Sequence, residues 1–189
     1  MKITKPVLIS LVLLILVSAL YRVIPGRPPG FAPQLAMTVF GGALFIKNKK
    51  WAFFLPIFSM LVSDLLYQVL FISGLSGTAG FYDGQWQNYL LFGGLTALGF
   101  LMTRITVGRI LLASIASPTI YFLLSNFLVW ASGSGLGRPI TGTGLLLCYN
   151  DGLPFYINSL YGTAFFSAVL FGSYFLIKNY RFQPKTISR

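Results

Sequence analysis

The sequence predicts an all-α integral membrane protein, a single transmembrane domain of six helices spanning residues 1–189. Three observations carry that reading. The chain is 56% hydrophobic and only 9% charged, against about 25% charged in soluble domains; its mean hydropathy is +0.77. So few charges cannot cover a water-soluble surface. Its apolar residues fall into stretches separated by Pro-, Gly- or Lys-rich breaks. Its basic residues are distributed unevenly over those breaks, as the positive-inside rule expects.

Lys2 and Lys5 precede an apolar run over residues 7–20, which the next four residues extend to about 18, enough to span a bilayer. A retained first helix is expected over 7–24, although Val17-Ser18-Ala19 would also pass as a signal-peptide cleavage site. Pro25, Pro28, Pro29 and Pro33 then break the helix. The second segment, 34–46, is short and rich in small residues (Gly41, Gly42, Ala43), which let helices approach closely in lipid. After Lys47, Lys49 and Lys50 comes the third helix, 51–72, with Pro56 as a kink. A Gly-rich loop free of Lys and Arg leads to a fourth helix over 88–103, closed by Arg104 and Arg109. The fifth helix is expected over 107–131 and the sixth over 154–177. Between them, 132–152 reads as a linker whose apolar stretch Leu145 to Tyr149 is too short to span.

With the N-terminus inside, Lys2, Lys5, Lys47, Lys49, Lys50, Arg104, Arg109, Lys178, Arg181, Lys185 and Arg189 are cytoplasmic. Only Arg22, Arg27 and Arg138 are external. The expected topology is therefore N-in, C-in and multi-pass. The net charge of +11 reports that orientation and contact with membrane lipid rather than nucleic-acid binding, because no basic run exceeds Lys47-Asn48-Lys49-Lys50. The chain has no histidine and one cysteine, Cys148. That excludes His-based metal sites, Ser-His and Cys-His dyads and an internal disulfide, and no cofactor is expected.

The polar residues then acquire a pattern. Asp64, one of three acidic residues, sits in an otherwise apolar helix, where a carboxylate must face protein or water. Gln68 lies one turn along the same face, flanked by Tyr67. Rising from the cytoplasmic side, Asp64 lies ~20 Å up its helix and Asn126 ~28 Å up the fifth. Asn158 lies one turn inside the sixth helix from the outer end. Asp64, Tyr67, Gln68, Asn126, Trp130, Asn158 and Tyr161 can thus share one outer-leaflet layer, forming a polar and aromatic cup for a small solute. Asp64 could instead pair with Arg22 or Arg138, Asn126 and Asn158 could bond across helices, and the aromatic residues could be belt or packing residues. The cytoplasmic halves are slim: Ala113, Ser114, Ala116 and Ser117 on the fifth helix, and Ala164, Ala168 and Gly172 at every fourth position of the sixth.

Several short segments carry a resemblance: Phe31-Ala32-Pro33, Phe40 to Ala43, Lys49 to Phe53, Ser63-Asp64-Leu65, Ser125-Asn126-Phe127 with Trp130, Cys148-Tyr149, Pro154-Phe155 and Asn158-Ser159-Leu160. In these the chain resembles an uncharacterised bacterial family of six-helix membrane proteins related to the substrate-binding (S) components of energy-coupling-factor (ECF) vitamin transporters. The resemblance implies an S-component-like fold, an outward-facing substrate cup and docking of the inner face onto a transmembrane coupling protein with ATPase subunits.

The expected function is accordingly a membrane-embedded binding component for uptake of a small, vitamin-like or cofactor-precursor solute. No Walker A motif is present, so ATP use would belong to partners. The alternative is a non-transporting scaffold of an envelope or cell-shape complex, resembling the MreD type. An enzyme is not expected, because the three acidic residues form no acid/base pair or metal cluster at readable spacing.

Overall fold

A computed structural model describes residues 5–133 and 137–181, and the chain folds into six α-helices over these residues. They are α1 (Lys5–Arg22), α2 (Gln34–Leu44), α3 (Lys49–Ile72), α4 (Gln85–Gly99), α5 (Val107–Ala131) and α6 (Gly142–Arg181). Lys2, Lys185, Arg189 and linker residues 134–136 lie outside the described residues.

Three of the helices, α3, α5 and α6, are long and apolar enough to cross a membrane. This corrects the expectation of six full spans. The apolar parts of α1 and α2 are shorter, and α4 has 15 residues. The surfaces of the long helices are nonetheless apolar: Leu111, Leu112, Ile115, Phe165, Val169 and Leu176 are all exposed. Inside, Thr38, Ser59, Ser63, Thr96 and Thr163 are buried. An apolar exterior of this extent is not tolerated in water, and it is the pattern of a membrane protein.

The short helix α2 is the axis of the bundle. It packs against α3, α4, α5 and α6, and Gln34 to Val39 and Gly41 to Ala43 are all buried. At 11 residues it is ~16 Å long, too short for a bilayer, but surrounded by protein it need not span one. Its glycines make the packing possible. A Cβ at Gly41 would stand 2.8 Å from the Ala52 carbonyl of α3, and one at Gly42 would stand 2.5 Å from the Thr96 carbonyl of α4. The neighbouring helices therefore meet α2 backbone to backbone.

α1 buries Leu11, Ile15, Ser18 and Ala19, a one-faced helical spacing, against α3 and α6. The proline-rich connection after α1 follows expectation as a non-helical loop, and it docks on α6. Asn158 Nδ2 donates to the Pro29 carbonyl at 2.9 Å and Ser159 Oγ donates to the Gly30 carbonyl at 3.2 Å. Gly30 has φ +89°, and a Cβ there would overlap the Phe155 carbonyl oxygen, so this position needs glycine on both counts.

The largest departure from expectation is α6. Residues 142–152 are helical rather than a linker, and Pro154 lies inside the helix. Pro154 cannot donate to the Asn150 carbonyl, which is why it reads as a helix start. The helix continues because its first turns are held from outside. Gly144 N donates to Thr141 Oγ1 at 3.2 Å as an N-cap, and Arg138 pairs with Asp151 at 2.9 Å. Trp130 Nε1 donates to the Pro139 carbonyl at 3.1 Å, closing the hairpin between α5 and α6.

Candidate functional site

Asp64 is fully buried at 1% exposure, and both of its carboxylate oxygens are hydrogen-bonded. Oδ1 is paired with the Arg22 guanidinium at the end of α1. Oδ2 accepts Gln85 Nε2 at 2.5 Å and the Tyr89 hydroxyl at 2.7 Å, both from α4. The same Arg22 Nη1 donates to Ser63 Oγ at 2.6 Å, and the Arg22 guanidinium lies 5.6 Å from the Tyr67 ring centroid. Tyr67 donates to the Arg22 carbonyl at 2.7 Å.

The network extends to α5 with its orientations determined. Because the carboxylate only accepts, Gln85 must turn its amide nitrogen towards Asp64 and its Oε1 away. That oxygen receives Asn88 Nδ2 at 2.8 Å, and Asn88 Oδ1 in turn accepts the Tyr121 hydroxyl at 2.8 Å. Gln85, Asn88 and Tyr89 stand at helical offsets of three and four, so one face of α4 reaches both Asp64 on α3 and Tyr121 on α5. Above it, Asn88 Nδ2 also donates to the Tyr82 hydroxyl at 2.8 Å. Desolvation pushes the Tyr82 phenol above its ordinary value, opposed by the Asn88 hydrogen bond and the Arg22 charge and reinforced by Asp64.

Beside this network is a cavity of about 660 Å³. Its floor includes Leu35, Met60 and Phe92, which form one buried apolar cluster with Tyr121 packed against it. Pro118, Phe122, Phe155 and Tyr156 continue the apolar and aromatic wall. The polar lining includes Arg22, Arg27, Gln34, Asn88, Ser125 and Asn126. Arg27 is held by backbone: Nε donates to the Arg22 carbonyl at 3.1 Å and Nη1 to the Phe31 carbonyl at 2.7 Å. Asn126 Nδ2 donates to the Phe122 carbonyl at 2.8 Å, and its amide lies against Gly152. Among the described residues no three His, Cys, Asp or Glu side chains come together as a metal site.

Of the seven residues expected to form the cup, Asn126 lines this cavity. Asp64 stands behind the wall and holds Arg22 and α4 in place, and Tyr67 braces Arg22 from below. Gln68 Oε1 accepts the Phe81 backbone N–H at 3.1 Å and so ties the α3–α4 loop. Trp130 and Asn158 are bonded to loop carbonyls, and Tyr161 is 68% exposed on the outer surface of α6. Gln34, Asn88 and Tyr121 were not expected. The Gln85, Asn88 and Tyr89 spacing was a readable signal, as was a glutamine opening an otherwise apolar helix.

No curated protein and no solved structure matches the chain. A family model does match, over residues 2–186, and the chain belongs to that family, a family of unknown function (DUF6580).

Proposed function

We propose that this protein is a membrane-embedded binding component for a small solute, with the cavity between α2, α4, α5 and α6 as its site. The observation that carries the reading is the cavity itself. Its volume of about 660 Å³ falls within the usual ~300–1,000 Å³ of ligand sites, which have apolar and aromatic walls with a few placed polar groups. The neighbouring hydrogen-bond network would keep those groups in position before the ligand arrives.

Lys47 and Arg104 lie in the turns, and Lys49, Lys50 and Arg109 in the first helical turns of α3 and α5, at the opposite end of the bundle from the cavity. Under the positive-inside rule that end is cytoplasmic and the cavity opens outward, with both termini inside a bacterial inner membrane. The shorter helices α1, α2 and α4 would complete a six-segment bundle around the three long spans. Uptake powered by a coupling protein and ATPase subunits rests on the resemblance to S components alone, and the reading is of a binder rather than an enzyme.

The test is mass spectrometry of gently purified protein, reading retained small molecules and co-purifying proteins from one sample. A stoichiometric solute that is lost in Asn126→Ala, with membrane insertion intact, is the expected result. Absence of a solute together with a reproducible envelope partner would replace this reading with the scaffold one. One observation favours that second reading: both Asp64 carboxylate oxygens are already taken up by Arg22, Gln85 and Tyr89, and the residue is 1% exposed.

A further inference from the structure

We infer that the solute carries an acidic group, a carboxylate, and that Arg27, with Arg22 beside it, is the seat of that group. The inference rests on the solute-binding reading and specifies the class of molecule that the site takes.

One charge on the cavity lining is oriented but not neutralised. Arg22 is paired with Asp64 and Arg138 with Asp151, the two ion pairs among the described residues. Arg27 lines the cavity, is half-buried and belongs to neither pair. Neutral groups fix it instead. Its Nε donates to the Arg22 carbonyl at 3.1 Å, and its Nη1 donates to the Pro28 carbonyl at 3.1 Å and the Phe31 carbonyl at 2.7 Å. Three carbonyls aim the guanidinium while leaving its charge uncompensated, and a counter-charge gains in value where water is partly excluded.

The donors left over are open. Among the described residues Arg27 Nη2 has no hydrogen-bond partner, and neither do Nε and Nη2 of Arg22, whose Nη1 makes both of its side-chain bonds. These three nitrogens are not sealed: the buried unpaired side-chain atoms are on Gln34, Ser114, Ser117, Thr163 and Ser167. Accessible N–H groups thus remain on two cavity-lining arginines that are joined by the 3.1 Å bond. A carboxylate, with two acceptor oxygens, is the group that a guanidinium fork matches. Asp83 lines the same cavity but is exposed, so water screens it and Arg27 dominates. The aromatic wall of Phe92, Tyr121, Phe122 and Tyr156 suits a ring-bearing or apolar body behind the acid.

The test is equilibrium dialysis of benzoate, benzamide and benzylammonium against the full chain in neutral detergent. The probes share a ring and differ in charge. Benzoate should bind at least about tenfold tighter than benzamide, the scale of one charge-assisted contact, and its lead should narrow as salt is raised. Benzylammonium should bind no tighter than benzamide. In Arg27→Met the lead should shrink to within about twofold while benzamide keeps its wild-type affinity; a residue that only clamps the loop would lower both probes together. Arg27→Gln, whose neutral amide can still bond a loop carbonyl, should give the same loss and serves if the Met variant does not fold. Equal affinities of benzoate and benzamide in wild type, tighter binding of benzylammonium, a lead that survives both variants, or a parallel loss of both probes overturns the inference and leaves solute binding standing. If no probe binds, the mass spectrum of the same sample decides. A retained acid supports the inference, a retained solute without an acidic group overturns it and keeps the binding reading, and an empty spectrum removes both.

Discussion

Gly80 lies directly on the backbone carbonyl of Asp64. A Cβ at Gly80 would overlap that oxygen and stand 2.7 Å from the Gln68 backbone nitrogen. The α3–α4 loop is thereby pressed onto the turn of α3 that carries the buried carboxylate, and five residues later the chain supplies Gln85 to it. Gly80→Ala should lose about 1–3 kcal/mol, read as a lower midpoint of thermal unfolding in detergent. Gly77→Ala, in the same loop with nothing within 4 Å of its Cβ position, should leave the midpoint unchanged. Equal behaviour of the two variants would contradict the contact.

The Arg22–Asp64 pair should show the asymmetry of a buried ion pair. Arg22→Met leaves the fully buried carboxylate without its counter-charge and should destabilise the protein by about 3–5 kcal/mol. Asp64→Asn should cost less, because Arg22 is 24% exposed and can reach water. The double variant should be milder than the sum of the single ones, since each single change strands a partner that the other removes. Additive losses in a denaturation cycle would show that the pair is not coupled.

The contact of α2 with α4 makes a separate prediction. A Cβ at Gly99 would stand 2.9 Å from Gly42 Cα, so the two helices touch through glycines on both sides. Gly42→Ala should destabilise by about 1–3 kcal/mol through forced separation of the helices. Gly93→Ala and Gly94→Ala, on α4 with open space around them, should be neutral or stabilising by up to about 1 kcal/mol through helix propensity. Comparing unfolding midpoints of the three variants checks this directly.

Gly152 and Asn126 link packing to the site. A methyl at Gly152 would lie 2.6 Å from Asn126 Oδ1, and the side chain would have to swing away from its bond to the Phe122 carbonyl. Gly152→Ala should therefore reduce solute retention about tenfold, the value of one lost hydrogen bond, with little change in thermal midpoint. Retention equal to wild type would remove Asn126 from the site.

Much of the fold was legible because backbone chemistry is local. The proline cluster from Pro25 to Pro33 and the lysines from Lys47 to Lys50 separate helices wherever the rest of the chain goes, and α5 forms over the expected residues. Pro154 misled for the same local reason: read alone it ends a helix, whereas Thr141 as N-cap and the Arg138–Asp151 pair start α6 twelve residues earlier. The Asp64 pairing was legible only as a choice between Arg22 and Arg138, and the fold decides for Arg22.

The sequence by itself determined the composition of a membrane protein, the six helical segments, and that Asp64 must be shielded. Tertiary structure alone decided that the short α2 is the axis, that Asp64 stands behind the cavity wall, and that Gln34 and Asn126 line it. The physical reason is that lipid and protein core are both apolar. In a soluble helix the polar face marks the outside, but Leu111 on the surface of α5 and Ile110 in its core look alike in sequence. Which face is inside follows from close backbone approaches such as Gly42 to Gly99, and these depend on residues far apart in the chain.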